Sequence, residues 1–361
     1  MSDRLNVALV GGPMYDSLYD PLLDDVDVVV HADHPTLNRR VAELLASGER
    51  IDVLSTHGKY APSQARWLRP LDELLDPAVV QALAPRAVDL CRFRGALLCA
   101  PRNIDVRILW WRADRLDGPP DDWRALTESR AVFGFTGRES GLFGLFFEIV
   151  VGNGGALFDL DGNPTMTGGD AEDAVALLCE LAARAPAELP GWHYDDVDRA
   201  LLDGRVDVAA AWPGGYGAIR ASAIHDRLAP APYLAGATRR VSYSGVHGWA
   251  IPTTCADVDG AVALVTRLCG AEMHAREAAA GGIPARTEAL AAIEPANPVD
   301  AARLAITRAT IDDAMITYPP LDRFPEIEDA GWAAINAALR GELTPREAVT
   351  RIQADAESVL G

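Results

Sequence analysis

The stretch LCAPRNIDVRILWW, residues 98–111, starts apolar and breaks at Pro101. It then carries Arg102, Asn103, Asp105 and Arg107 before ending in Ile108, Leu109, Trp110 and Trp111. Residues 106–111 are rich in β-branched and aromatic side chains, which favours a strand over a helix. Polar side chains inside an apolar strand cost free energy unless they are paired or face a cavity. Two readings follow: an ordinary half-exposed strand, or a strand that leaves one core, crosses a polar gap and enters a second. Side chains alternate along a strand, so Asn103, Asp105 and Arg107 share one side and Ile104 and Val106 the other. Trp110 and Trp111 then point to opposite faces, and core is the stronger reading for both.

The 361 residues exceed what a typical single core organises, so two domains are expected. Apolar content of 49% with 24% charged residues is that of an ordinary globular chain. A formal net charge of −19 argues against nucleic acid as a partner, because phosphate binding needs concentrated Lys and Arg. Lys59 is the only lysine. The five cysteines form no CxxC pair, which argues against zinc, and an odd count leaves no complete disulfide framework. Cys91 and Cys99 flank a hairpin turn at Arg94–Gly95 where they could pair, and buried free thiols are the stronger reading for them. No apolar run approaches the roughly 20 residues that span a bilayer. The N-terminal MSDRLNVALVGGP shows no basic region, long apolar stretch or cleavage site, so no export signal is visible in it.

Residues 6–10, 27–30 and 51–54 read as strands, with an amphipathic helix over 36–47 closed by Gly48. This β-α-β order implies a parallel sheet, whose ligands sit beyond the carboxyl ends of the strands. Tyr15, Ser55–His57 and Tyr60 fall on that rim. Gly11-Gly12-Pro13 is not a dinucleotide fingerprint, since Pro13 removes a donor. Residues 70–75 and 78–91 are helical in pattern. Residues 131–135 form a strand whose following turn, 136–141, opens the apolar helix 142–151 and exposes backbone N–H groups to an anion or hydroxyl. Asp159–Asn163 is superficially like a calcium loop but lacks the downstream Glu, so turn chemistry accounts for it. The strand 206–211 runs into Trp212-Pro213-Gly214-Gly215-Tyr216, and 241–252 reads as a second crossing strand. Helices follow over 259–269, 272–280, 300–315 and 327–339, and Thr344-Pro345-Arg346-Glu347 caps the last.

These landmarks resemble the extracellular solute-binding proteins of carbohydrate ABC importers, the maltose-binding-protein-like family. LASGERIDV (45–53) is similar to the family's helix-Gly-strand junction, with Ile51 in place of the usual Pro. LRPLDELL (68–75) resembles x-L-x-P-L-D-x-L, and residues 94–116 resemble the family's crossing segment. Gly154-Gly155, residues 202–212, residues 248–252, GIPAR (282–286) and LRGELTPREA (339–348) follow in order. The resemblance implies an α/β, two-lobe, type II periplasmic-binding-protein fold, each lobe a mostly parallel sheet flanked by helices. Hinge strands would join the lobes, and the ligand would be closed between them. Residues 1–107 with 248–312 are expected in one lobe, and 108–247 with 313–361 in the other. One departure is that the helix after the first strand is nearly absent by pattern, since 14–25 is short and contains Pro21.

Sugars are bound by aromatic faces and planar polar side chains. Trp212, Tyr216 and Gly214 lead the candidates. Tyr243, His247 and Trp249 share a face of one strand, with Trp249 nearer the core. Asn103, Asp105 and Arg107 are ligand groups or mutual partners; Glu139 and Ser140 are ligand groups or plain caps; Tyr15, His57, Tyr60 and Arg286 complete the set. The leading expectation is a non-catalytic, monomeric importer component outside the cytoplasm, binding a sugar or sugar derivative and working with ABC permease subunits, without cofactor or metal. Arg102 and Arg107 leave acidic or phosphorylated sugars open. A cytosolic ligand sensor on the same fold is the first alternative. A glycoside-processing enzyme using Asp105 with Glu139 is the second.

Overall fold

The computed structural model describes residues 4–12 and 15–361, with the backbone alone at 17 and 21–23; Pro13 of the Gly-Gly-Pro turn lies outside the described residues. The chain forms two compact units. The first comprises Met1–Asp105, Gly245–Glu294 and Pro320–Phe324; the second comprises Val106–Ser244, Pro295–Pro319 and Pro325–Gly361. Residues 98–111 thus change unit at Asp105/Val106. Residues 241–252 change unit at Ser244/Gly245, and are two strands, Ser242–Gly245 and His247–Ala250, broken at Val246.

The first unit is built on β1 (Leu5–Val10), α1 (Asp16–Leu23), β2 (Val26–Ala32), α2 (His34–Ala46) and β3 (Val53–His57). β1 pairs parallel with β2 and with β3, as the β-α-β pattern predicts. His247–Ala250 then joins antiparallel to β3, and Ala100–Pro101 antiparallel to that strand. Leu37, Val41 and Leu45 of α2 are buried, and Asp33 caps the helix by accepting from the Thr36 N–H at 2.9 Å. The expected absence of a helix after β1 is wrong. α1 has eight residues and runs through Pro21, because the missing proline N–H removes only one bond from so short a helix.

Prolines also break expected helices. Residues 70–75 form only the single turn Leu71–Glu73, and 78–91 divides into Pro77–Gln81 and Pro85–Leu90. The hairpin at Arg94–Gly95 is as expected, with both residues at positive φ (50° and 87°), the geometry of a type I′ turn. All five cysteines are free.

The second unit departs from the expected parallel sheet. Its strand order is Leu228–Ala231, Ile108–Arg112, Val208–Ala211, Phe133–Gly134, and the first two pairings are antiparallel. The helix Glu139–Gly152 is buried over twelve consecutive residues, Gly141–Gly152, as its all-round apolar sequence requires. Its glycines admit close neighbours: a Cβ at Gly144 would meet the Tyr243 ring at 3.1 Å. Residues 295–312, expected with the first lobe, pack in the second unit, where Arg303 lies 4.1 Å from the Tyr216 ring centroid. Thr344 and Glu347 form the expected capping box of Pro345–Leu360. Asp159 accepts from the Asp161 and Asn163 N–H groups, which bears out the turn reading of 159–163.

Backbones approach closely at Gly236, where an added Cβ would collide with the main chain of Gly152, whereas Gly118 has nothing within 4 Å. Gly236→Ala should therefore lower stability by about 2 kcal/mol or more and Gly118→Ala by no more than about 0.5 kcal/mol. Urea denaturation of the two variants checks this.

Candidate functional site

The carboxyl ends of the three parallel strands deliver one cluster in the first unit. β1 leads through Gly11-Gly12 to Tyr15, β2 leads to His34 at the start of α2, and β3 ends in His57 just before Tyr60. His247 is the register partner of His57 in the adjoining antiparallel strand. The three imidazoles pack ring to ring: His34–His247 at 4.7 Å, His57–His247 at 5.1 Å and His34–His57 at 5.4 Å. Tyr15 lies 5.2 Å from the His247 ring, and Tyr60 lies 5.7 Å from His34 and 5.9 Å from His57. A Cβ at Gly245 would sit 2.5 Å from His57 Nε2, so glycine there makes room for this ring.

A chain of polar contacts runs into the cluster. Asn103 Nδ2 donates to Asp105 Oδ2 at 3.1 Å, Asp105 Oδ2 lies 3.4 Å from His247 Nε2, and His247 Nδ1 lies 3.0 Å from His34 Nε2. His247 Nε2 also shares a hydrogen bond of 3.3 Å with the Tyr15 hydroxyl, and between the two neutral imidazoles one nitrogen donates and the other accepts. Burial, reinforced by the charge of Glu277, pushes Asp105 up to about 7. Burial pulls His34 down to about 3, helped by Lys59 and Arg102. His57 and His247 are held well below the ordinary value for the same first reason. Arg102 is buried and paired with the buried Glu277, Nε to Oε2, at 2.9 Å.

The second unit carries an aromatic cluster. Tyr243 packs against Tyr318 at 4.9 Å and edge-on to Trp212 at 5.9 Å; Tyr318 stacks on Phe147 at 4.5 Å. Trp212 is half-buried and also meets Tyr194 at 6.2 Å. Ser140 and Tyr194 share a hydrogen bond of 2.9 Å between their hydroxyls. Glu139 pairs with Arg138 and, at 3.1 Å, with His193. Neither Glu139 nor Ser140 is the cap: the capping position is Arg138, which offers no side-chain bond. Glu139 sits at φ 59°, a left-handed conformation that costs a non-glycine residue roughly 1–3 kcal/mol and is characteristic of functional segments.

Three sequence expectations fail. Arg107 does not share a polar face with Asn103 and Asp105. It is buried in the second unit, where Nε donates to Glu148 Oε1 at 3.1 Å and Nη2 pairs with Oε2. Glu148 also accepts the Tyr243 N–H at 2.7 Å, so its lone pairs are taken by the frame. Tyr216 is core: 4% exposed, stacked on Trp110 at 5.9 Å and covered by Arg303. Gly214 lies in the turn Pro213–Gly215. Tyr243, His247 and Trp249 do not share one strand, and Trp249 is buried against Tyr19 at 6.1 Å. His34, Tyr318, Phe147 and Tyr194 were not among the expected residues. The rule that marked Tyr15 and His57, a position at the end of a parallel strand, would also have found His34.

No family profile matches the chain. A probable amino-acid ABC transporter periplasmic-binding protein of Sinorhizobium fredii is 24% identical over 291 residues, covering 74% of this chain and 65% of that relative. The chain thus spans just under two thirds of that relative's length. Solved structures match over nearly the whole length. Maltose-bound MalE3 of T. maritima has a TM-score of 0.86 at 20% identity, over 98% of this chain and 99% of that one. A Thermotoga lettingae ABC transporter solute-binding protein with α-D-tagatose has 0.85 at 20%, over all of both chains. An Agrobacterium radiobacter solute-binding protein with ribitol has 0.84 at 16%, over 98% of both. The chain has the fold of the periplasmic solute-binding proteins. This solute-binding fold is the two-lobe α/β class expected from the sequence. Among its described residues no group of three or more His, Cys, Asp or Glu can hold a metal ion, and no helix is long and apolar enough to cross a membrane.

Removing Glu148 strands the buried Arg107 charge, so Glu148→Ala should cost about 3–5 kcal/mol, whereas Asp105→Asn replaces a group already half neutral at pH 7 and should cost under about 1 kcal/mol. The pH dependence follows from the folded-state shifts. The histidines, lowered from 6.5, leave stability complete above about pH 6.5 and erode it as pH falls. Asp105, raised from 3.8, contributes stability at low pH that is lost as pH rises through about 7. Asp105→Asn should therefore gain on the parent between pH 5 and pH 8 in thermal melts.

Proposed function

We propose that this protein is the substrate-binding component of an ABC importer, and that it binds a carbohydrate, sugar derivative or polyol. The reading rests on one observation: each unit of the solute-binding fold carries an aromatic and polar cluster suited to sugar rings and hydroxyls. In the first unit this is Tyr15, Tyr60, Asn103, Asp105 and the three histidines. In the second it is Trp212 and Tyr243 with Tyr318, Glu139 and Ser140. The maltose, tagatose and ribitol of the structural relatives support the same ligand class. The reading assigns no catalysis: Asp105 is engaged by Asn103 within the histidine cluster of the first unit, and Glu139 by Arg138 and His193 in the second. It works as a monomer outside the cytoplasm and hands its ligand to ABC permease subunits.

Thermal shift followed by calorimetry across neutral sugars and alditols tests the reading; silence across the whole panel would count against it. Trp212→Ala should weaken binding at least about tenfold, equivalent to about 1.4 kcal/mol, while the ligand-free melting temperature stays close to the parent's. Cell fractionation separates the importer from a cytosolic sensor on the same fold, since the importer must be recovered outside the cytoplasm.

A further inference from the structure

The histidine cluster is a poor choice for a core. Three imidazoles within 5.4 Å of one another present six ring nitrogens where aliphatic side chains would pack without any polar cost. His34 Nδ1 is buried with no hydrogen-bond partner. Tyr15, His34 and Lys59 are half-buried, so the cluster reaches the surface through them. The guanidinium beside it is closed within the unit. Arg102 is neutralised by Glu277, and Glu277 also accepts from Asn103 Nδ2 at 3.4 Å. Lys59 stands 4.7 Å from the Tyr60 ring centroid. In the second unit Arg107 is likewise answered by Glu148, and Arg138 by Glu139.

Resting on the binding reading above, we infer that His34, His57 and His247 form a subsite for the hydroxyl groups of an uncharged ligand, with His34 its specificity residue, and that sugar acids, sugar phosphates and amino acids are refused. A neutral imidazole offers one donor and one acceptor, which matches the dual character of a hydroxyl. A ligand carboxylate or phosphate would have to shed its water against uncharged rings, beside the carboxyls of Asp105 and Glu277 and with Arg102 already committed. A desolvated anion without a new counter-ion is strongly disfavoured. An α-amino acid carries the same kind of carboxylate and meets the same cost. The two arginines that left an acidic ligand open in the sequence are each committed to a carboxylate of their own unit.

Calorimetry at pH 7 decides the matter by comparing the best neutral sugar or alditol with its uronate or aldonate, its phosphate, and a panel of amino acids. The charged counterparts should bind at least about 100-fold more weakly, or about 2.7 kcal/mol. His34→Phe, which keeps the ring and loses the hydrogen bonds, should weaken the neutral ligand about tenfold or more with little change in ligand-free melting. His34→Gln should recover part of the loss. A charged ligand binding within tenfold of its neutral parent, or losing its affinity in Lys59→Ala, overturns the inference and leaves the importer reading standing. Unchanged affinity in His34→Phe overturns it too. No binding of any ligand, charged or neutral, overturns both.

Discussion

A guanidinium taken out of water must be answered by a carboxylate in the same packed unit, and two such pairs frame this protein. Arg102 with Glu277 and Arg107 with Glu148 lie on either side of the point where residues 98–111 change unit. Replacing such pairs by apolar residues is often neutral or stabilising, so their value is better sought in placement than in stability. Glu148 accepts the Tyr243 N–H and fixes that strand beside the Glu139–Gly152 helix. Glu277 receives Asn103, whose Oδ1 accepts the His247 N–H at 3.0 Å. In each unit the ion pair therefore positions a strand that carries a candidate ligand residue.

The features that sequence reasoning recovered were those with a local cause. Alternation and helical spacing gave β1, α2 and β3, and the strand-end rule gave Tyr15, His57 and Tyr60. The capping box at Thr344 and the positive-φ turn at Arg94–Gly95 were legible from residue chemistry alone. What stayed hidden depended on long-range partners. Nothing near Arg107 says that Glu148, 41 residues on, will claim it. Tyr216 looked like a ligand aromatic because it follows a strand in a glycine loop, but Trp110 and Arg303 sandwich it. The strand 241–252 reads as continuous because its apolar pattern persists across Val246, while its hydrogen-bonding partners change there.

Strain has a similar distribution. Among the described non-glycine residues, Arg94, Arg130 and Glu139 alone have positive φ. Arg94 turns a hairpin and Arg130 ends a helix, both ordinary uses of that conformation. Glu139 instead opens a helix, where nothing in helix geometry asks for it. Its carboxylate holds Arg138 and His193 together, and the next residue, Ser140, shares a hydroxyl hydrogen bond with Tyr194.

The scarcity of lysine has a practical side. Every basic side chain but one is Arg or His, and that one, Lys59, stands over Tyr60 beside the imidazole cluster. An amine-reactive dye would thus have one side-chain address in the protein, two residues from His57. Fluorescence from that address would sample the surroundings of the cluster without any engineered cysteine or tag. Composition alone has installed a reporter position next to the residues whose chemistry matters.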